Sequence, residues 1–259
     1  MARRCVFCGS APLTREHVIP QWLTDVLPEQ ARFRGQDQQI VLSPPKAARS
    51  RILLPHRQVR EPFNAVTVKA VCATCNSGWM NDIETQARPH LSRLIDGQQL
   101  ELNHVEITAL ATWVFKTALM AQLTSVEGIA VLGAIYRAFC VARTPPDSCV
   151  VWVAGHGAED WALRFELVAA LVATEEDTSA TPSDPINTVS ATLGLGHVLF
   201  HTVFTARASV SYPPLDEIHP AVSRLWPAPD MITVPQPMWL LGEVAWIISR
   251  SFAIWMSHG

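Results

Sequence analysis

The sequence predicts an α+β protein in which helices and strands occupy different parts of the chain. Alternating apolar residues at Ala65–Val71 indicate a strand, and a helical pattern begins at Asn76. Two very apolar segments between Asn103 and Cys140 have the character of helices. Beyond Thr144–Asp147, alternating or continuously apolar runs favour strands. The predicted order is a mixed first region, an α-rich middle and a β-leaning remainder.

The helix expected from Asn76 has one apolar face. Pro89 interrupts its pattern, so we expect a kink or an early stop there. The apolar positions recur at helical spacing and can pack on a core: Met80, Ile83, Ala87, Leu91 and Leu94.

The α-rich middle begins with a capping signal. Asn103 and Glu106 form a capping-box-like pair, which predicts a helix that runs through Ala121. A second helix is expected over Ser125–Cys140. The two prolines within Thr144–Asp147 break the chain, and this is the preferred boundary between helices and strands.

The remainder is expected to be mainly β-structure with one helix at its end. Strands are predicted at Val150–Ala154, Arg164–Val172 and Val189–Ala206. The acidic, turn-rich segment Thr174–Pro185 is predicted to be a loop, and Met238–Met256 a helix.

Membrane association is not expected. The most apolar stretches, Val105–Leu123 and Met238–Met256, each carry two charged residues. A charge near the centre of a membrane span costs about 2.5–3.5 kcal/mol on insertion scales. Both stretches are therefore interpreted as buried or amphipathic helices.

Charge is distributed unevenly along the 259 residues, although the formal net charge is only −3. Residues 1–104 carry 13 Lys and Arg against 9 Asp and Glu, whereas residues 105–259 carry 7 against 14. A uniformly basic nucleic-acid-wrapping protein is excluded by this balance. A polyanionic partner would bind the first region.

Much of the positive charge falls in residues 31–62, which have the composition of an irregular insertion. Its basic residues between Arg32 and Arg60 can contact a phosphate backbone without reading sequence. A solvated flexible loop is the alternative interpretation.

Four of the six cysteines form two Cys-x-x-Cys pairs, Cys5 with Cys8 and Cys72 with Cys75. The N-terminal residues do not resemble a signal peptide, so we expect a cytoplasmic, reducing location. Two such pairs can supply four thiolates to one structural zinc ion. A redox dithiol or accidental spacing are the alternatives.

The other two cysteines have no partner motif. Cys140 and Cys149 are interpreted as small apolar residues of the core.

A polar motif lies between the cysteine pairs, and another directly follows the second pair. Glu16 and His17 precede Pro20, and Asn76 follows Cys75. The order Cys-x-x-Cys, Glu-His-x-x-Pro, Cys-x-x-Cys-Asn resembles the HNH endonuclease family. The resemblance covers about residues 5–95. It implies a zinc-stabilised ββα-metal module at the N-terminus.

The resemblance implies a role for each of these residues. His17 would act as the general base that takes a proton from the attacking water. Glu16 and Asn76 would bind Mg²⁺ or Mn²⁺ through oxygen atoms. The zinc ion would hold these two segments together across the intervening chain.

The sequence departs from the family pattern at two positions. Glu16 stands where Asp is frequent and Asn76 where His is frequent, and both substitutions favour a hard cation. The family's middle asparagine has no certain counterpart, and Asn64 is the best candidate. Glu84, two turns after Asn76, could support the site, but a solvated surface glutamate is the favoured interpretation.

The remaining histidines show no convincing ligand spacing. His197 and His201 are four positions apart, but their surroundings indicate a strand rather than a helix. The nine tryptophans are interpreted mainly as core residues, with Trp113 as an example.

We therefore expect an HNH nuclease module in residues 1–104. Residues 105–259 would form a helical and then β-rich region of unknown role, with homodimerisation as one option. The expected activity is metal-dependent cleavage of DNA, with RNA as the weaker option. A non-catalytic zinc module that binds nucleic acid or protein is the alternative. Restriction, phage defence, homing and toxin roles all stay open.

Overall fold

A computed structural model of the chain is the basis for the following description. It combines helices with β-sheets, and the predicted α+β class is confirmed at this level. The structure describes residues 3–27, 36–43, 52–53, 57–59, 66–124, 133–157, 163–172, 187–206, 214–235, 240, 243–245 and 247–248.

A two-stranded antiparallel sheet forms the N-terminal part and is called the N-terminal hairpin, although residues 18–66 separate its two strands. Strand β1 (Leu13–His17) pairs with a strand that is distant in sequence, β5 (Thr67–Cys72). The register shifts between Thr14 and Glu16, which marks a bulge. A 3₁₀ turn over Gln21–Asp25 follows β1. The strand predicted at residues 65–71 is confirmed as β5.

A long helical segment follows β5 without a loop. It consists of α1 (Ala73–Cys75), a π-helical turn (Asn76–Met80) and α2 (Asn81–Ile95). It begins three residues before the predicted start, and its irregularity lies at Gly78.

The predicted stop at Pro89 is wrong, because α2 continues for six further residues. Four buried apolar residues lie on the face of α2 that packs on the core: Ile83, Ala87, Leu91 and Leu94. Their burial offsets the loss of one backbone hydrogen bond at proline.

The central helix is the most deeply buried helix of the described chain. Strand β6 (Leu100–Asn103) leads into α3 (His104–Gln122), whose predicted capping box is present. Helix α3 contacts α2 on one side and strands of the large sheet on the other. The next helix, α4 (Gly133–Ala142), ends two residues beyond Cys140, where the second predicted helix was expected to end, so this end is confirmed. Residues 125–132 lie outside the described residues.

All three strand segments predicted after residue 144 lie in one large sheet, where they form four strands. They are β7 (Cys149–Gly155), β8 (Leu163–Val172), β9 (Thr188–Leu195) and β10 (Val198–Thr205). Strands β9 and β10 form an antiparallel hairpin, whereas the sequence predicted a single apolar strand segment over Val189–Ala206. Helix α5 (Leu215–Ile218) and strand β11 (Val222–Trp226) follow them.

The predicted irregular insertion contributes strands to the same sheet. They are β2 (Gln36–Ser43), β3 (Ile52–Leu53) and β4 (Arg57–Val59). The sheet order is β11-β7-β10-β9-β8-β2-β3, with β4 also paired to β2. Strand β2 runs parallel to β8, and the other pairs are antiparallel. The expectation of irregular structure at 36–43 is wrong because distant backbone pairing, rather than local pattern, makes this strand.

Contacts connect the regions on either side of residue 104. Strand β12 (Met231–Val234) pairs with β6. One cluster of buried apolar residues extends from Cys5 to Val234 and includes most of α3. The division into residues 1–104 and 105–259 stays a prediction.

Two further sequence expectations fall on other parts of the chain. The loop Thr174–Pro185 and most of the helix Met238–Met256 lie outside the described residues. Among the helices of the described chain, none has the length and apolar character that a membrane span needs.

Candidate metal centre and adjoining polar residues

Four cysteine thiols converge beside the N-terminal hairpin. The Sγ–Sγ distances are 3.8 Å for Cys5–Cys75, 3.5 Å for Cys8–Cys72 and 3.6 Å for Cys8–Cys75. All four sulfurs lie within 4.8 Å of one another. Ligand sulfurs 2.3 Å from one tetrahedral metal are about 3.8 Å apart. This cysteine cluster can therefore hold one metal ion.

Two different local structures present these thiols. The first pair lies in a tight turn closed by the Gly9 amide, which donates to the Cys5 carbonyl at 2.9 Å. Gly9 has φ = 75°, a conformation that glycine adopts without strain. The second pair spans the junction between β5 and α1. The backbone amide of Val6 donates to the Ala70 carbonyl at 3.0 Å and joins the two structures.

The thiols differ in their electrostatic surroundings. Hydrogen bonds from Ser10 lower the pKa of the exposed Cys8 thiol to about 6. Burial raises the pKa of Cys72 and Cys75, and the Trp79 indole opposes this rise at Cys75. Buried thiolates need a neighbouring positive charge, which a divalent metal ion supplies.

Aromatic packing joins the cysteine cluster to α4. Phe7, between the first two cysteines, is buried and lies 4.9 Å from Trp79 between ring centres. Tyr136 and Phe139 of α4 also contact the Phe7 ring. The cysteine cluster is thus packed, through Phe7, on Trp79 and on α4.

His17 lies at the end of β1 and is partly exposed. Its Nε2 atom is 3.1 Å from Nε2 of Gln21, the first residue of the 3₁₀ turn that follows β1. The amide nitrogen of Gln21 can only donate, so Nε2 of His17 accepts. This places the proton of a neutral His17 imidazole on Nδ1.

Asn76, in the first turn after the second cysteine pair, is bonded to β1. Its Nδ2 atom donates to Oγ1 of Thr14 at 3.2 Å and to the carbonyl of Arg15 at 3.1 Å. Both bonds use the amide nitrogen. The side-chain oxygen is the atom of Asn76 with the chemistry of a cation ligand.

Glu16 is buried and ion-paired. Its Oε1 atom lies 3.3 Å from Nζ of Lys116, a fully buried residue of α3. Lys116 also contacts Oε1 of Glu84 on α2. The favoured interpretation of Glu84 as a solvated surface residue is therefore wrong. Burial raises the pKa of the Glu16 carboxyl, and the Lys116 charge opposes that rise.

Strand geometry separates the two residues of the Glu-His motif. Successive side chains of a strand point to opposite faces. The Glu16 carboxylate accordingly contacts α3, whereas the His17 ring contacts Gln21 near the surface. Asn76 contacts the same strand one and two positions before Glu16.

No sequence motif marks Lys116 as a site residue. A lone lysine in a helix of buried apolar residues is a signal that could have identified it, because a buried ammonium group needs an acidic partner. The partner itself could not be identified without the packing of α2 and α3.

Other predicted site residues lie elsewhere or outside the described chain. Asn64 lies outside the described residues, as do most positions between Arg32 and Arg60. His201 lies in β10, as the strand interpretation requires, and its Nδ1 is 2.8 Å from Oγ1 of Thr192. Cys149 is buried, and burial raises the pKa of its thiol to about 12.

The chain was also compared with known proteins. No protein-family model, curated protein or solved structure matches it.

Proposed function

We propose that this protein is an HNH-type endonuclease that hydrolyses phosphodiester bonds of DNA with one divalent cation. The observation that carries the proposal is the junction between Asn76 and β1. The amide of Asn76 is hydrogen-bonded to Arg15, two residues before His17, although 61 positions separate the bonded residues. The cysteine cluster adjoins this junction, because Cys8 precedes β1 and Cys75 directly precedes Asn76.

Zinc is the ion proposed for the cysteine cluster. A closed set of four thiolates is typical of structural zinc sites and leaves no open position for a substrate. Its proposed role is mechanical, since it fastens the turn before β1 to the start of the helical segment.

His17 is the proposed general base. The imidazole is partly exposed, and its Nε2 lone pair faces the Gln21 amide. A water molecule that replaces this amide as the donor to Nε2 would be positioned to lose a proton.

Asn76 and Glu16 are the proposed ligands of a catalytic Mg²⁺ or Mn²⁺. The cation would neutralise charge on the phosphate and on the leaving oxygen. Asn76 would contribute its side-chain oxygen while its amide nitrogen stays bonded to β1. Glu16 would contribute the carboxylate oxygen that does not contact Lys116.

A plasmid-nicking assay tests the proposal. Supercoiled DNA is incubated with Mg²⁺ or Mn²⁺ and with wild-type protein, His17→Ala or the control His90→Ala, which changes a histidine of α2. We expect wild type and the control to nick, and His17→Ala to be slower by about 100-fold. Absence of nicking by wild type, or equal nicking by His17→Ala, contradicts the proposal.

The nucleic-acid preference is tested with the same proteins. Labelled single-stranded RNA and duplex DNA of one sequence are compared as substrates. Faster cleavage of duplex DNA is expected, whereas cleavage of RNA alone would redirect the proposal to an RNA nuclease.

The Lys116 ion pairs favour a second candidate, a non-catalytic zinc module that binds nucleic acid or protein. Lys116 supplies a buried positive charge to both Glu16 and Glu84 without any metal ion. If the protein is such a module, His17→Ala would leave its binding of nucleic acid or protein unchanged, while Cys72→Ser would abolish folding.

A further inference from the structure

A separate cavity is lined in part by Trp79, whose ring also contacts Phe7 between the first two cysteines. It has a volume of about 420 Å³ and is bounded by α2, by α3 and by the residues that follow α4. This volume lies in the range of small-molecule sites. None of His17, Glu16 and Asn76 lines it, so the inference below does not depend on the nuclease proposal.

Besides Nε1 of Trp79, three polar atoms of the residues that line this cavity are buried without a hydrogen-bond partner in the described chain. They are Oγ1 of Thr108, Oγ1 of Thr112 and Nη1 of Arg143. Thr112 is only 4% exposed. Unpaired buried polar groups are costly and rare in folded proteins, so three in one cavity indicate a missing partner.

Arg143 is held in an unusual conformation at the end of α4. Its φ is 61°, in the left-handed region that glycine or asparagine usually occupies after a helix. Its guanidinium carbon lies 4.0 Å from the centre of the Trp79 ring. This cation–π contact restrains the guanidinium group, whose planar fork can bind an oxyanion through two parallel hydrogen bonds.

The cavity wall also has an apolar part and a second polar part. Ile83, Val105 and Ala109 contribute apolar surface. Asp82 and Gln86 lie one turn apart on α2, where they can accept hydrogen bonds from a ligand.

We propose that this cavity binds a small organic oxyanion, a carboxylate or a phosphate monoester attached to a planar apolar body. The oxyanion accepts hydrogen bonds from Arg143, Thr108 and Thr112. The apolar body packs against Ile83 and Val105.

Calorimetric titration of the full chain with three related probes tests the proposal. 1-Naphthyl phosphate and 1-naphthoate carry the two oxyanions on the same body, and 1-naphthol lacks the charge. We expect at least one anion to bind at least about tenfold more tightly than 1-naphthol. The tighter of the two anions identifies which oxyanion the cavity prefers.

Matched variants connect binding to the cavity. Arg143→Gln and Thr112→Val each remove one proposed donor, and both are expected to weaken anion binding by about tenfold or more. Arg137→Gln removes the same charge from an exposed position of α4 and is expected to bind like wild type. Thermal unfolding shows whether Arg143→Gln and Thr112→Val fold. If one of them does not fold, the affinity of the other variant tests the proposal.

Three results would overturn the proposal. They are the absence of binding by both anions, equal binding of 1-naphthol and the anions, and equal affinities of wild type and both folded cavity variants.

Discussion

Lys116 carries the only buried ammonium group of the described chain, and it connects three elements. It contacts Glu16 of β1 and Glu84 of α2 from its own position on α3. Removing one member of a buried ion pair leaves an uncompensated charge, which costs about 3–5 kcal/mol. Lys116 therefore fixes how the N-terminal hairpin and α2 pack on the central helix.

Lys116→Met is predicted to lower the free energy of unfolding by about 3 kcal/mol, because two carboxylates lose their shared cation. Lys69→Met, on the exposed side of β5, is the control and should change stability by under about 0.5 kcal/mol. Urea unfolding measures both. Adding Glu16→Gln and Glu84→Gln to Lys116→Met should recover part of the lost free energy of unfolding. Equal losses of stability for Lys116→Met and Lys69→Met would contradict this role of Lys116.

His201 is predicted to make the stability of the fold depend on pH. Burial lowers the pKa of its imidazole to about 3, whereas the unfolded value is about 6.5. Between these values the unfolded chain binds a proton that the folded chain does not bind. Stability is therefore predicted to fall as pH decreases from about 6.5 towards 3, with His201 contributing up to about 1.4 kcal/mol per pH unit.

Urea unfolding at pH 7 and pH 5 tests this contribution. His201→Gln keeps a partner for Thr192 and removes the titrating group, so its stability should change less between the two pH values. His104→Gln changes an exposed histidine and should behave like wild type. The account of His201 is wrong if both variants keep the full pH dependence.

At the scale of elements, the end of α2 docks on the turn between β9 and β10. The amide of His197 donates to the Ile95 carbonyl at 3.0 Å and satisfies one of the free carbonyls at the helix end. Gly196, with φ = 55°, allows this approach. A Cβ atom on Gly196 would lie 2.4 Å from the Ile95 oxygen.

Gly196→Ala is predicted to destabilise the protein by about 2 kcal/mol, because it combines left-handed strain with this close contact. Gly133→Ala is the control, since a Cβ atom there meets only the flexible side chain of Arg137. Thermal unfolding compares the two. An unchanged melting temperature for Gly196→Ala would show that the turn and the helix end are not packed as described.

The cysteine cluster fastens another pair of elements, the turn before β1 and the start of the helical segment. Cys72→Ser is predicted to weaken zinc binding strongly and to lower the melting temperature, because three remaining thiolates form an incomplete site. Cys140→Ser is the control outside the cluster. A competition assay with a chromogenic chelator measures zinc affinity, and equal affinity of Cys72→Ser and wild type would contradict the proposed site.

Local signals made several elements predictable from the sequence. Asn103 and Glu106 are close in sequence, and their capping box needs no distant partner. The alternating residues of β5 and the two Cys-x-x-Cys pairs are local patterns as well. Strand β2 has no such pattern, since its pairing partner β8 lies more than a hundred residues away. The Lys116 ion pairs and the opposite orientation of Glu16 and His17 also depend on tertiary packing.

On the scale of the whole molecule, one apolar core joins the cysteine cluster to the large sheet. Phe115 of α3 contacts Phe139 of α4 at 5.0 Å and Phe204 of β10 at 5.2 Å between ring centres. Of the proposed nuclease residues, Glu16 and His17 lie on β1 and Asn76 lies at the start of the helical segment that follows β5. Two metal ions with separate roles are proposed for this protein, a structural ion at the thiols and a catalytic ion at Asn76 and Glu16.

The most direct test measures zinc content and DNA cleavage in the same sample. Purified protein is freed of loosely bound cations, its zinc is quantified by mass spectrometry, and cleavage of plasmid DNA is followed before and after addition of Mg²⁺ or Mn²⁺. We expect one zinc ion per chain, no cleavage before the addition of the cation, and cleavage afterwards with unchanged zinc content. A protein that holds its zinc and cleaves no DNA with either cation would contradict the central claim.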